Sequence, residues 1–188
     1  MERESMISIA RLLLFFVITM GYNAFFRNTV KMNRSLTWVF TFSVITLVLY
    51  LGSLLGFMLQ TVYAISVLGC LLSLYYLWAV WKKKYRFRRL DYIALGMMAY
   101  LLLFGITLWH SPLLHYDNFT HWATIVKFFH INNALPTQQD TIISYYTYPV
   151  GSSLFIYFFT TIVGFSEGSM LVGQFFLIAS SLYAMFAA

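Results

Sequence analysis

"LTWVFTFSVITLVLYLGSLLGFMLQTVYAISVLGCLLSLYYLWAVW", residues 36–81, runs from Leu36 to Trp81 without one charged side chain. A helix needs about 20 mostly apolar residues to cross the hydrocarbon core of a bilayer, so this stretch is long enough to cross twice. The turn between the two crossings is expected at "GSLLGFMLQ", residues 52–60, where glycine and glutamine interrupt the apolar run.

The rest of the chain has the same character. Its 188 residues are 61% hydrophobic and 10% charged, whereas a soluble globular domain is about half apolar and about a quarter charged. That balance excludes a soluble domain of any size. An aromatic share of 20% suits helices anchored at bilayer interfaces by amphipathic rings. Hydropathy places spans at about 8–26, 36–57, 61–81, 91–109, 149–165 and 169–187. The expected fold is therefore all-α, a polytopic integral membrane protein of about six transmembrane helices forming one domain over 1–188. The opening "MERESMISIARLLLFFVITMGYNAFF" has the charged start and apolar run of a signal peptide but no small-residue cleavage pattern, and reads as a retained first helix.

The net charge of +6 is concentrated in short connections. Arg27, Lys31 and Arg34 mark the first, and "KKKYRFRR", residues 82–89, marks the third. Lys and Arg favour cytoplasmic loops, and two crossings separate these connections, so both orient the chain alike. Position thus assigns the basic balance to orientation and lipid headgroups, not to nucleic acid. The longest connection, 110–148, has Lys127 as its single Lys or Arg and is expected on the extracytoplasmic side of the cell membrane. Cys70 is the lone cysteine, which excludes an intrachain disulfide and a metal–thiolate cluster.

The polar chemistry gathers in that loop around "HYDNFTHW", residues 115–122. Within "DNFTHWATIVKFFHI", residues 117–131, Phe119, Trp122, Ala123, Val126 and Phe129 recur at helical spacing. Asp117, Thr120, His121, Thr124 and Lys127 fall on or near the other face. The pattern predicts an amphipathic interfacial helix with its aromatic side in lipid or protein. Asp117 reads either as the N-cap of that helix or as a base held in place by capping it. His110, His115, His121 and His130 all lie in the loop, at irregular spacings that match no metal-ligand signature, so no metal ligands are assigned. "NFT" at 118–120 and "NRS" at 33–35 match the glycosylation triplet.

After this helix come "NNALP" and then "YYTYPVGSSLFIYFF". An acidic residue after a span, a helix carrying Ala-x-Ile-Val-Lys, a turn ending in Leu-Pro and an aromatic-Pro-small motif opening the next span form an ordered series. Over about 110–165 it resembles the first large external loop of the C-type (GT-C) membrane glycosyltransferases, which use polyprenyl-phosphate sugars. The resemblance implies that Asp117 serves as catalytic base, that Lys127 and His121 meet a phosphate or sugar hydroxyl, and that Tyr148 and Pro149 form the motif at the next helix start. It implies a polyprenyl-phosphate sugar as donor, a divalent metal as a candidate cofactor, and an envelope glycan, polymer or lipid as acceptor, with membrane lipids around the chain. Asn118 stands where the family has a second acid, and four expected spans precede the loop where close relatives have one. The chain ends in "SSLYAMFAA" and reads as an N-terminal portion or truncated member.

Transfer of a glycosyl group from a lipid phosphate needs a carboxylate to accept the acceptor's proton and a cation to stabilise the leaving phosphate. No nucleotide-binding motif is present, and a lipid-linked donor needs none. The competing readings are a transporter or permease subunit and a non-catalytic membrane assembly partner.

Overall fold

A computed structural model describes residues 2–84, 92–143 and 147–187, with side chains from Ile7 onward. Eight helices are described: α1 (Glu2–Asn28), α2 (Arg34–Leu54), α3 (Met58–Trp81), α4 (Tyr92–Trp109), α5 (Tyr116–Thr120), α6 (Trp122–Asn132), α7 (Gly151–Val163) and α8 (Glu167–Phe186). Among the described residues there is no strand. Five helices are long and apolar enough to cross a membrane: α1 from Ile7, α2, α3, α4 and α8. Their outward faces carry exposed Leu13, Leu47, Leu71, Leu74 and Leu103, a surface suited to hydrocarbon and adverse in water.

Without a hydrophobic force between helices in lipid, close packing has to come from small residues and shape. At the α1–α3 crossing a Cβ on Gly21 would overlap the Gly69 carbonyl oxygen, and one on Gly69 would come within 2.7 Å of the Ile18 backbone. The two backbones touch because neither residue has a side chain. Beside this crossing the Tyr22 hydroxyl donates to the Ile65 carbonyl at 2.8 Å and the Ser73 hydroxyl to the Val17 carbonyl at 2.5 Å.

The first connection packs beside the end of α3 through a hydrogen bond between the Thr29 and Tyr76 hydroxyls. This puts Arg27, Lys31, Arg34 and Lys82–Lys84 at one end of the bundle, as the charge pattern requires of even-numbered crossings. Tyr85–Arg89, the remainder of the basic cluster, lie outside the described residues.

Where a crossing is expected at 149–165, the structure has a shorter apolar helix. α4 and α8 run antiparallel, with Tyr100 and Phe175 rings 5.2 Å apart and Gly168 seated against the Trp109 carbonyl. The Leu113 amide donates to Glu167 Oε2 at 2.9 Å. The segment from 110 to 166 therefore leaves and rejoins the bundle at the same end. α7 spans Gly151–Val163, about 20 Å at 1.5 Å per residue, against about 30 Å of hydrocarbon. Its first residue lies beside Thr46 and its end beside Arg11, both in the loop-side halves of α2 and α1. The turn at Gly164, with φ of 116°, then sends the chain into α8, which begins with a Ser166–Ser169 capping box. α7 is enclosed by protein, and Leu154 to Phe159 are all buried among α1, α2, α6 and α8.

Gly21→Ala is expected to cost about 1–3 kcal/mol through overpacking, whereas Gly105→Ala, with open space at its Cβ, is expected to be neutral. Thermal unfolding in detergent checks the pair, and equal midpoints would remove the close-crossing account. In a Cys70→Ala background, single cysteines at Gln138 and Phe165 are expected to react with an impermeant maleimide from the same side of the membrane. Labelling from opposite sides would restore a crossing by α7.

Candidate functional site

The insertion is built from its turns upward. His115, in extended conformation, is the N-cap of α5, its Nδ1 accepting from the Asp117 amide at 3.3 Å. Asp117 is thus not the cap. It sits in the first turn, where the partial positive charge of free amides favours a carboxylate. Its Oδ2 lies 3.5 Å from His115 Nδ1 with both side chains exposed, a pair that contributes little to stability.

The single helix expected over 117–131 is broken at His121, whose φ of −127° and ψ of −108° end α5 and start α6. In α6, Ala123, Ile125, Val126, Phe128 and Phe129 are buried, while Phe119 of the expected apolar face is exposed. That face packs on α7 within the protein. α6 and α7 run parallel, pinned at the start by the Ser153 hydroxyl donating to the Trp122 carbonyl at 3.1 Å. At the other end Tyr157 donates to Asn133 Oδ1 at 2.8 Å, and His130 Nε2 lies 2.8 Å from Thr160 Oγ1. The Thr160 proton goes to the Ile156 carbonyl at 2.8 Å, so its oxygen accepts from His130 Nε2–H.

Between α2, the start of α7 and residues 135–136 and 147–150 lies a cavity of about 730 Å³. Ser43, Thr46 and Tyr50 form the α2 wall, and Leu135, Tyr148 and Pro149 lie among the residues opposite. The Ser43 and Thr46 hydroxyls donate to carbonyls of their own helix at 2.8 Å, which leaves their oxygens as acceptors toward the cavity. The His121 ring stacks on Tyr148, with centroids 5.0 Å apart and planes at 17°. Tyr148 and Pro149 thus line the cavity, and His121 stacks on Tyr148 from outside it; His121, Asp117 and Lys127 are not among the lining residues. Asn118, the acceptor position of the "NFT" triplet, is buried.

Hydroxyl residues at 43, 46 and 50 share a helix face by their spacing, a signal that an apolar run hides. His110 Nδ1 lies 3.0 Å from the Ile106 carbonyl, and the four histidines do not converge. Among the described residues no three His, Cys, Asp or Glu side chains are grouped to hold a metal.

Burial lowers the His130 imidazole from its ordinary 6.5 to about 4. Between these values the unfolded chain binds a proton that the folded protein excludes. The stability from neutral His130 is complete above about pH 6.5 and is lost as pH falls toward 4. After allowing for solvent screening of a half-exposed ring, the loss is on the order of 1–2 kcal/mol. His130→Gln, which keeps a donor for Thr160, is expected to flatten thermal stability between pH 7 and 4.5; parallel curves for the two proteins would refute the assignment.

Compared with family models, curated proteins and solved structures, the chain matches none.

Proposed function

We propose that this multi-pass membrane protein transfers a sugar from a polyprenyl-phosphate donor to a cell-envelope acceptor on the extracytoplasmic face. The observation that carries the reading is the cavity at the loop end of the bundle, with hydroxyl oxygens on one wall and an aromatic–proline corner on the other. Mixed lining of this kind suits a ligand that is part sugar and part isoprenoid. It is bounded by Tyr148 and Pro149, two members of the motif series that resembles the C-type glycosyltransferases.

In the proposed step an acceptor hydroxyl oxygen bonds the anomeric carbon. The bond from that carbon to the phosphate oxygen breaks, and its electron pair leaves with the polyprenyl phosphate. The acceptor proton passes to the Asp117 carboxylate, which is exposed beside the break at His121. Lys127 and His121 are the side chains assigned to the sugar or its phosphate, and a divalent ion is the alternative partner for the leaving group. Because Asp117, His121 and Lys127 do not line the cavity, the acceptor is assigned to the outer side of α5 and the donor to the Tyr148–Pro149 corner, its lipid part in the cavity and its sugar phosphate beside His121.

A permease subunit is the second reading, favoured by α7, a half-length helix whose first turn lies beside Ser43 and Thr46. Turnover separates the two. In membranes supplied with polyprenyl-phosphate sugar, Asp117→Asn is expected to lower transfer about 100-fold or more at unchanged protein level. Unchanged transfer would reject the base assignment, and substrate uptake without any glycosyl product would favour the permease.

A further inference from the structure

The torsions at His121 separate α5 from the face that α6 buries. By spacing Phe119 belongs with Ala123, Val126 and Phe129, yet those three are buried and Phe119 is 52% exposed. Tyr116, three residues earlier on the same side of α5, is 75% exposed, and Leu114, just before the helix, is 83% exposed. Asn118, on the other side, is buried, and Asp117 falls between the two sides. Three large apolar side chains within six residues therefore point away from a helix that is docked on its far side.

The depth of α5 follows from what brackets it. Before it, Leu113 is buried in one cluster with Ala123, Val126, Ile156 and Met170, and its amide is held by Glu167. After it, Trp122 packs against the same cluster, and the Thr124 hydroxyl donates to the Phe119 carbonyl at 2.6 Å. Met170 lies about 4.5 Å into α8, one of the five helices long and apolar enough to cross a membrane. α4, another of the five, ends at Trp109, five residues before Leu114. Both flanks of α5 are thus fixed where α4 and α8 meet the bilayer surface, and the exposed Leu103 and Ile106 of α4 continue the apolar surface below that level.

Residues 111–120 contain no Lys or Arg, so attraction to anionic headgroups is not what this segment offers. Tyr and Phe beside Leu suit the boundary between headgroups and chains, where a ring is buried and a hydroxyl stays wet.

We propose that Leu114, Tyr116 and Phe119 insert into the lipid leaflet at the loop end, which makes α5 the part of the loop that rests in the membrane. The contact holds Asp117, on the adjoining side, at headgroup depth. It does not rest on the transfer reading: if transfer fails and α5 inserts, α5 is a membrane anchor all the same.

In a Cys70→Ala background, nitroxide labels on single cysteines replacing Leu114, Tyr116 and Phe119 test this in phosphatidylcholine vesicles, with Leu103 as lipid reference and Gln138 as aqueous reference. Relaxation by oxygen against a water-soluble nickel chelate is expected to place the three labels about 5–10 Å below the lipid phosphates, with no change in about 1 M salt. Tyr116→Trp gives a second measurement without a label, its added emission expected to be quenched by lipid brominated high in its chains and spared by iodide. Labels as open to the chelate as the one at Gln138, labels shielded from both relaxants as beneath a protein partner, insertion only after phosphatidylglycerol is added, or iodide quenching of the added tryptophan would overturn the proposal.

Discussion

α7 has to be surrounded by protein, and much of the architecture follows from that requirement. A helix too short to cross the hydrocarbon core leaves a connecting backbone at membrane depth, which is tolerated only inside protein or beside a cavity. α1, α2, α6 and α8 supply the enclosure. Phe15 is the hub on the α1 side, its ring 4.8 Å from Phe159, 6.4 Å from Phe155 and 5.6 Å from Phe176. Phe42 reaches Phe155 from α2 at 4.7 Å. Inside hydrocarbon such rings hold together through dispersion and edge-to-face geometry, because leaving lipid for protein brings little hydrophobic gain.

That enclosure explains why α6 is amphipathic. Its apolar face covers α7, and its other face is left for the loop. Polar side chains then place the pair to within a hydrogen bond at each end, through Ser153 with Trp122 and Thr160 with His130. Leu135, Pro136 and residues 147–150 line the cavity opposite α2. Glu167 closes the insertion by holding Leu113, so the two termini of the excursion meet.

The bundle is chemically polarised. The carboxylates and histidines with placed side chains belong to the loop end, and the lysines and arginines with placed side chains, other than Arg11 and Lys127, gather at the other. Each end has its own cavity, one with hydroxyl and aromatic walls, the other with a cationic rim and an apolar interior.

Helical class, the five long apolar helices and the shared end of the two basic connections were legible in the residues, because hydropathy and charge are properties that add along a chain. The α6 stripe of Ala123, Val126 and Phe129 was legible for the same reason. The break at His121 was not, since a backbone torsion inside an unbroken helical pattern leaves no trace in spacing. His115 took the capping role assigned to Asp117 because which of two adjacent cap-capable groups lies outside the helix depends on where its first turn begins. How deeply 149–165 is enclosed by protein, and which of Asp117, His121, Lys127, Tyr148 and Pro149 line the cavity, only the tertiary structure decided. An apolar run is equally at home in lipid and in a protein interior, and the choice rests on the neighbours that α1, α2, α6 and α8 bring from distant parts of the chain.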